Sequence, residues 1–166
     1  GFDNIRPSYQ MLKALIKEFK EDEYDVGDDW KNKSYTSKPF YKNAVTGDRA
    51  FAYYMSDFIF GDLEVEEIDD FDDLRIGDVI CWDDLGDVEY LIVTAVSSKS
   101  VECMGVYKEA VYEYTLDKSE WDDDDVAYTR YPDVTADKDD STSSAETGKL
   151  TNGKAATEAN VKTLIK

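Results

Sequence analysis

The sequence predicts an α+β domain in which N-terminal helices pack on an antiparallel sheet of about five to six strands. Two early segments repeat apolar side chains at the period of a helix, whereas the chain from Arg75 onwards alternates at the period of a strand. Helices first and strands afterwards favour helices on one face of an antiparallel sheet over alternating βαβ units. Residues 133–151 are rich in Ser, Thr, Asp and Lys, and we interpret them as a flexible linker.

The first helix is predicted over residues 7–20. Pro7 suits the first turn of a helix, where an N–H group would have no intrahelical partner. Apolar side chains recur every three or four residues and form one face that can pack on a core: Met11, Leu12, Leu15, Ile16 and Phe19.

The second helix is predicted over residues 47–61. It follows a Gly47-Asp48 turn and stops at Gly61, and we expect the Asp48 carboxylate to cap its first free N–H groups. One stripe of this helix is apolar and should face the core: Phe51, Tyr54, Met55, Phe58 and Ile59.

Two connections should also contribute to the core. Residues 30–42 have the mixed composition of a surface loop and bring Trp30, Tyr35 and Phe40 onto the core. Residues 62–73 are strongly acidic, but apolar side chains recur too often for a solvated tail. We therefore predict an ordered connection with four anchors: Leu63, Val65, Ile68 and Phe71.

The second half of the domain is predicted to be a sheet. Tight turns at 85–87 and 97–99 make its first three strands an antiparallel meander, and residues 117–121 form a single helical turn. The predicted strands cover 78–82, 89–96, 100–105, 110–114 and 126–131.

The charge of the chain excludes several classes of partner. The 166 residues include 19 basic and 38 acidic side chains, a net charge of -19. Because binding of phosphate backbones and anionic lipids relies on clustered Lys and Arg, we predict no nucleic-acid partner and no membrane insertion. Metal cations, basic partners and neutral glycans remain compatible with this charge.

The two cysteines, Cys81 and Cys103, are predicted to be free thiols. They lie in different strands with a third strand between them, and two strand spacings exceed the Cα separation that a disulfide allows.

An acidic run is most simply a solvated loop, with a weak calcium site as the alternative; it comprises Asp122, Asp123, Asp124 and Asp125.

Two motifs resemble those of a known family. The first is Phe51-Ala52-x-x-Met55-Ser56-Asp57-x-x-Phe60-Gly61, and the second is Phe71-Asp72-x-Leu74-Arg75-Ile76-Gly77-Asp78. Together they resemble the core of papain-like cell-wall peptidases and amidases of the NlpC type, in particular a bacterial surface-protein branch. The resemblance covers residues 7 to 132 and implies a papain-like half-barrel.

The same resemblance locates the catalytic positions of the family and implies that they are degenerate here. Asp48 occupies the position of the cysteine nucleophile, and Glu89 that of the histidine. The third polar position falls on the next strand, where only Met104 or Val106 is available. Since the chain contains no histidine, no thiol can be activated by an imidazole, and we predict that this is not a cysteine peptidase.

We therefore expect a non-catalytic binding or spacer module, monomeric and without a cofactor, at the surface of a bacterium. The resemblance implies the extracellular location and a cell-wall peptide or glycan as ligand. Two alternatives stay open: a hydrolase that uses Asp48 and Glu89 as acid and base on glycans, and a structural repeat without a ligand. The candidate ligand-binding residues are Asp48, Glu89, Tyr53, Trp82 and Tyr112, and the wider aromatic set adds Tyr107, Tyr114 and Tyr128.

The end of the sequence suggests a tandem arrangement. Lys13, Leu15, Ile16 and Lys17 recur as Lys162, Leu164, Ile165 and Lys166. We therefore expect residues 1–132 to form the domain, 133–151 the linker, and 152–166 the incomplete first helix of a second copy.

Overall fold

The computed structural model describes residues 8–84 and 86–131. The predicted linker at 133–151 and the predicted second copy at 152–166 lie outside the described residues. The chain divides into two compact units, and residues 12–131 belong to the first. Of the second unit only residues 8–11, the first turn of the N-terminal helix, are described.

The described residues form two helices, a short two-stranded ribbon and a larger sheet. Two single 3₁₀ turns, Phe71–Asp73 and Lys118–Glu120, join elements of the sheet. The helices are α1 (Tyr9–Asp22) and α2 (Gly47–Phe60), and the strands are β1 (Ser34–Tyr35), β2 (Val45–Thr46), β3 (Glu66–Ile68), β4 (Val79–Asp84), β5 (Asp87–Val96), β6 (Ser100–Tyr107), β7 (Ala110–Asp117) and β8 (Val126–Thr129).

The large sheet has six strands in the order β3-β8-β4-β5-β6-β7, and every neighbouring pair is antiparallel. The prediction of an α+β domain with an antiparallel sheet is therefore confirmed. Strand β3 lies inside the acidic connection 62–73 and was not predicted, because its Glu66 and Glu67 face solvent at an edge and give no apolar alternation. The short β1–β2 ribbon was not predicted either.

The helix α2 packs on the sheet through a fully buried stripe. Phe51, Met55 and Ile59 are all 0% exposed, as the helical spacing predicts. The neighbouring positions Tyr54 and Phe58 are half-buried. Their rings face that of Phe19 in α1, with centroid distances of 5.9 and 5.3 Å. The apolar stripe of α2 therefore joins α1 and the sheet.

The other face of the sheet curls round a second apolar cluster. Trp82 of β4 stacks on Tyr114 of β7 with ring centroids 5.3 Å apart, although β5 and β6 lie between these strands. Three steps of a flat sheet would span roughly 14 Å, so the contact requires a strongly curved sheet. The cluster inside the curve contains Ile68, Phe71, Leu74, Ile80, Leu91, Val93, Val101, Cys103, Leu116 and Ala127.

The two motifs that carry the family resemblance meet at one close contact. Gly77 has a φ of +93°, and a Cβ atom there would lie 2.6 Å from the ring of Phe60. Gly77 therefore provides both the left-handed backbone and the space that the Phe60 ring needs. The Gly77 N–H donates to the carbonyl of Val93 at 2.8 Å, so this turn is joined to β5 as well as to the end of α2.

Candidate functional site

Asp48 is not the N-cap residue of α2, contrary to the prediction, although its carboxylate does accept an N–H group of the first turn. The N-cap is Thr46, which makes no side-chain capping hydrogen bond, and Asp48 lies in the first turn of the helix. Its Oδ1 accepts the N–H of Arg49 at 2.9 Å. Its Oδ2 accepts the N–H of Tyr90 at 2.8 Å, so this carboxylate ties the start of α2 to β5.

The N–H of Tyr90 is available because the ladder between β5 and β6 stops early. The last paired residues are Ile92 and Met104, whereas the ladder between β6 and β7 continues to Tyr107 and Ala110. The Asp48 carboxylate thus accepts an N–H beyond the end of the ladder. This satisfies a backbone donor that is costly to leave without a partner.

The third position that the resemblance assigns to a catalytic set carries no polar side chain. Met104 is 0% exposed and Val106 is half-buried. Gly105, between them, lies so close to β5 that a Cβ atom would be 2.7 Å from the Leu91 side chain and 3.2 Å from the carbonyl of Tyr90. Apolar side chains therefore surround the third position that the resemblance assigns to the catalytic set.

The carboxylates of Glu89 and Asp48 both influence the phenol of Tyr112. The hydroxyl of Tyr112 donates to Oε1 of Glu89 at 3.3 Å. Burial raises the pKa of Tyr112, and the negative charges of Glu89 and then Asp48 raise it further. The structure therefore brings Asp48, Glu89 and Tyr112 together at the start of β5.

Aromatic side chains extend from this point along the curved face. The ring centroids of Tyr107 and Tyr112 are 5.6 Å apart, those of Tyr112 and Tyr114 are 6.5 Å apart, and Trp82 stacks on Tyr114. We call these four residues the aromatic row. Tyr107 is 56% exposed and the others are half-buried, and the register pairs Trp82 with Glu89.

Two of the predicted aromatic residues lie elsewhere. Tyr53 is only 3% exposed and stacks on Phe40 at 4.2 Å, next to Tyr90. Because Tyr90 and Glu89 are consecutive in a strand, they point to opposite faces, so Tyr53 is separated from the aromatic row. Tyr128 also contacts Phe40. The wider set is therefore divided between the two faces of the sheet.

Asp125 forms the hydrogen bonds that fix the acidic run, which comprises Asp122, Asp123, Asp124 and Asp125. Asp125 is 0% exposed, and its oxygens accept the N–H groups of Asp83 at 2.9 Å and Asp122 at 2.8 Å. Within residues 8–84 and 86–131 no group of three or more acidic or cysteine side chains could hold a metal ion. The calcium prediction therefore gains no site from the described residues.

Both thiols are free. Cys103 is 0% exposed and Cys81 is half-buried, and burial raises the pKa of each. They lie within strands β6 and β4, separated by β5, so neither thiol has the helix N-terminus or the imidazole that activates a nucleophilic cysteine.

Sequence reasoning missed a buried arginine that donates four hydrogen bonds. Arg130 is 1% exposed and donates to the carbonyls of Leu63 at 2.7 Å and Gly61 at 2.6 Å. It also donates to Ser56 Oγ at 3.0 Å and to Asp57 Oδ1 at 2.9 Å. A cation near the end of the last predicted strand could have suggested an internal partner, since buried charges are paired. The polar motif residues Ser56 and Asp57 are thus ligands of this arginine.

A shallow depression of about 450 Å³ forms a separate feature of the surface. Phe71 and Trp121 contribute aromatic walls, and only Asp122 and Asp123 were among the predicted candidates. Its lining consists of Asp69, Asp70, Phe71, Lys118, Trp121, Asp122 and Asp123.

Comparison with known proteins gives no match: no family model, curated protein or solved structure is significantly similar to this chain. The NlpC-type resemblance therefore rests on the two motifs quoted above. Among the described helices, none combines the length and the apolar character that crossing a bilayer requires.

Proposed function

We propose that this chain is a non-catalytic binding module with a papain-like, NlpC-type fold, and that it recognises a cell-wall peptide or glycan at a bacterial surface. One observation carries the proposal. The side chain at the family's nucleophile position, Asp48, accepts two backbone N–H groups and thereby joins α2 to β5. A position that elsewhere performs chemistry has a structural role here.

The other components of the family's chemistry are also missing from this chain. Acyl transfer by a thiol requires a base that takes its proton and a polar group that orients the base. The chain has no histidine, and apolar Met104 and Val106 stand at the third position. The module therefore binds without turning its ligand over.

The aromatic row and Glu89 are the contact surface that we assign to the ligand. Aromatic faces supply apolar contact area with little loss of side-chain freedom. The carboxylate of Glu89 can accept hydrogen bonds from sugar hydroxyls or peptide N–H groups, and such charge-assisted bonds are the stronger kind. The net charge of -19 disfavours strongly anionic polymers and is compatible with a neutral or partly cationic fragment.

Catalysis by two carboxylates has less support. A glycosidase needs its carboxyl groups directed at the scissile bond from two sides, whereas each oxygen of Asp48 already accepts a backbone N–H. Glu89 likewise accepts the Tyr112 hydroxyl. The purely structural repeat remains the competing outcome of the test below.

The test is a titration of the ¹⁵N-labelled protein with a disaccharide-peptide fragment of the cell wall. We expect saturable shifts of the Trp82 indole and of the amides of Glu89 and Tyr112. Glu89→Gln should weaken binding roughly tenfold, because the bond to a charged acceptor is lost. Tyr128→Phe, on the opposite face, is the matched control and should leave the affinity unchanged. Absence of shifts at any fragment concentration, or equal effects of both variants, would contradict the assigned site.

A further inference from the structure

The face of the sheet opposite the aromatic row carries a cation surrounded by tyrosine rings. The guanidinium carbon of Arg49 lies 5.0 Å from the ring centroid of Tyr41, 5.5 Å from that of Tyr53 and 5.4 Å from that of Tyr90. Its Nε also donates to the hydroxyl of Tyr53 at 3.0 Å. All three distances are within the range of cation–π attraction. We call Tyr41, Tyr53 and Tyr90 the tyrosine cage.

Two rings of the tyrosine cage are held by contacts that do not involve Arg49. Tyr53 stacks on Phe40 with centroids 4.2 Å apart and planes 10° from parallel. Tyr90 meets Tyr53 edge-on at 6.0 Å, and burial, followed by the neighbouring thiol of Cys81, raises the pKa of Tyr90. These contacts should keep the two rings in place when the arginine leaves, and a site formed in advance binds with a smaller loss of conformational freedom.

Within the part of the chain that the structure describes, Arg49 is held by aromatic rings and not by a carboxylate. The sequence has 38 acidic side chains, so a half-buried guanidinium near the surface could pair with a carboxylate. Among residues 8–84 and 86–131, however, no carboxylate forms a salt bridge with Arg49. The guanidinium is held instead by three π faces and one phenol oxygen. These surroundings favour an organic cation over a metal ion as the occupant, because aromatic cages recognise diffuse charge.

Arg49 is also positioned to leave. Its side chain is half-buried, and Tyr41, on one side of the cage, is 41% exposed. A cation that enters from solvent therefore needs only the displacement of a flexible side chain at the surface. Cation–π contacts are weak at such exposed positions, so an external cation can compete with this intramolecular one.

We propose that the tyrosine cage is a binding site for the alkylammonium or guanidinium group of a ligand, and that Arg49 occupies it as a built-in competitor. The site is independent of the proposed cell-wall surface, since Tyr90 and Glu89 point to opposite faces of β5. The ligand binds only the fraction of molecules in which Arg49 has left the cage, which reduces its apparent affinity by that fraction. Removal of the arginine should restore the full affinity.

The experiment titrates wild type and Arg49→Met with tetramethylammonium and, separately, with N-methylguanidinium, and follows the tyrosine ring resonances by NMR. Methionine keeps part of the packing without the charge. We expect Arg49→Met to bind at least one cation about tenfold or more tightly than wild type. In wild type, a high concentration of the same cation should shift the Arg49 Nε resonance as the side chain leaves. The two probes distinguish an ammonium ligand from a guanidinium ligand.

Two controls keep the proposal falsifiable. Lys99→Met removes one exposed positive charge outside the cage, and equal tightening in this variant would show general attraction to an acidic surface and overturn the proposal. Tyr90→Leu in the Arg49→Met background should lose most of the gain, whereas retention of the gain would also overturn it. An unchanged pattern of amide resonances outside the cage establishes that each variant is folded. A folded Arg49→Met protein that binds neither cation more tightly than wild type contradicts the proposal directly.

Discussion

The two ends of α2 are held in different ways. At its C-terminal end the buried Arg130 forms four hydrogen bonds, to Ser56, Asp57, Gly61 and Leu63, and Tyr35 donates to the other oxygen of Asp57 at 2.7 Å. At its N-terminal end a single half-buried carboxylate, Asp48, forms the bond to the sheet.

This difference shows what the motif residues that resemble the NlpC-type family do in this fold: they pack around the C-terminal end of α2. Ser56, Asp57, Phe60 and Gly61 all surround Arg130, and Phe60 also packs on Gly77. These motif residues therefore specify how the helix docks. Asp48, the position that the resemblance assigns to the nucleophile, lies at the other end of the helix.

The comparison predicts the largest loss of stability at the C-terminal end. Arg130→Met leaves Asp57 without its buried partner and leaves two carbonyls without their donor. We expect the free energy of unfolding to fall by about 3–5 kcal/mol, as measured for other buried pairs that lose one member. Urea denaturation measures it. Arg49→Met, near the other end, is the matched control and should cost less than about 1 kcal/mol. Similar losses of stability for both variants would contradict the proposed difference between the two ends of α2.

A second prediction concerns the contact between the two motifs. Gly77→Ala combines a positive φ with a Cβ atom that would meet the Phe60 ring, so we expect a loss of about 2–3 kcal/mol. Gly27 has nearly the same φ, +94°, but nothing lies within 4 Å of its added Cβ. Gly27→Ala should therefore cost about 1 kcal/mol. Equal losses in thermal or urea unfolding would mean that the Phe60 contact contributes nothing.

The N-terminal end should respond more weakly. Asp48→Ala removes the acceptor of the Tyr90 N–H, and we expect a loss of about 1–2 kcal/mol. Asp48→Asn retains an oxygen acceptor and should lose less, and Asp123→Ala, at an exposed position, should stay within about 0.5 kcal/mol of wild type. Faster amide exchange at Tyr90 in Asp48→Ala would identify the broken bond. Unchanged protection there would contradict the proposed tie.

The smallest expected effect appears at alkaline pH. Burial, followed by its hydrogen bond to Glu23, raises the pKa of Tyr54 from 10.0 to about 12. Because the folded state favours the neutral phenol, this contribution is complete below pH 10.0 and is lost as the pH rises towards about 12. Urea denaturation across this interval should show a shallower decline for Tyr54→Phe than for wild type. Parallel curves would show that Tyr54 does not contribute.

The fold was largely predictable because periodicity reports packing. The helical spacing of Phe51, Met55 and Ile59 predicts the buried face of α2, and the alternation after Arg75 predicts five of the six strands of the large sheet. Strand β3 was not predictable in this way, because Glu66 and Glu67 face solvent at an edge and its pairing with β8 is a long-range choice.

The site was predictable only in part. Matching to the family's motifs selected Asp48 and Glu89, whose carboxylates both influence the Tyr112 phenol, but it could not reveal that the Asp48 carboxylate also bonds to β5. That bond depends on where the ladder between β5 and β6 ends. The partners of Arg130 and the rings around Arg49 were missed for the same reason, since local spacing carries no information on contacts between distant segments.

The most direct test of binding without chemistry follows the ligand rather than the protein. A cell-wall disaccharide-peptide is incubated with the purified chain, and its own resonances are recorded over time. We predict saturable broadening of the ligand signals, reduced in Glu89→Gln, with no new signals from cleaved products. Product signals that grow with protein concentration and disappear in Asp48→Asn or Glu89→Gln would contradict this prediction, as would ligand resonances that never respond to the protein.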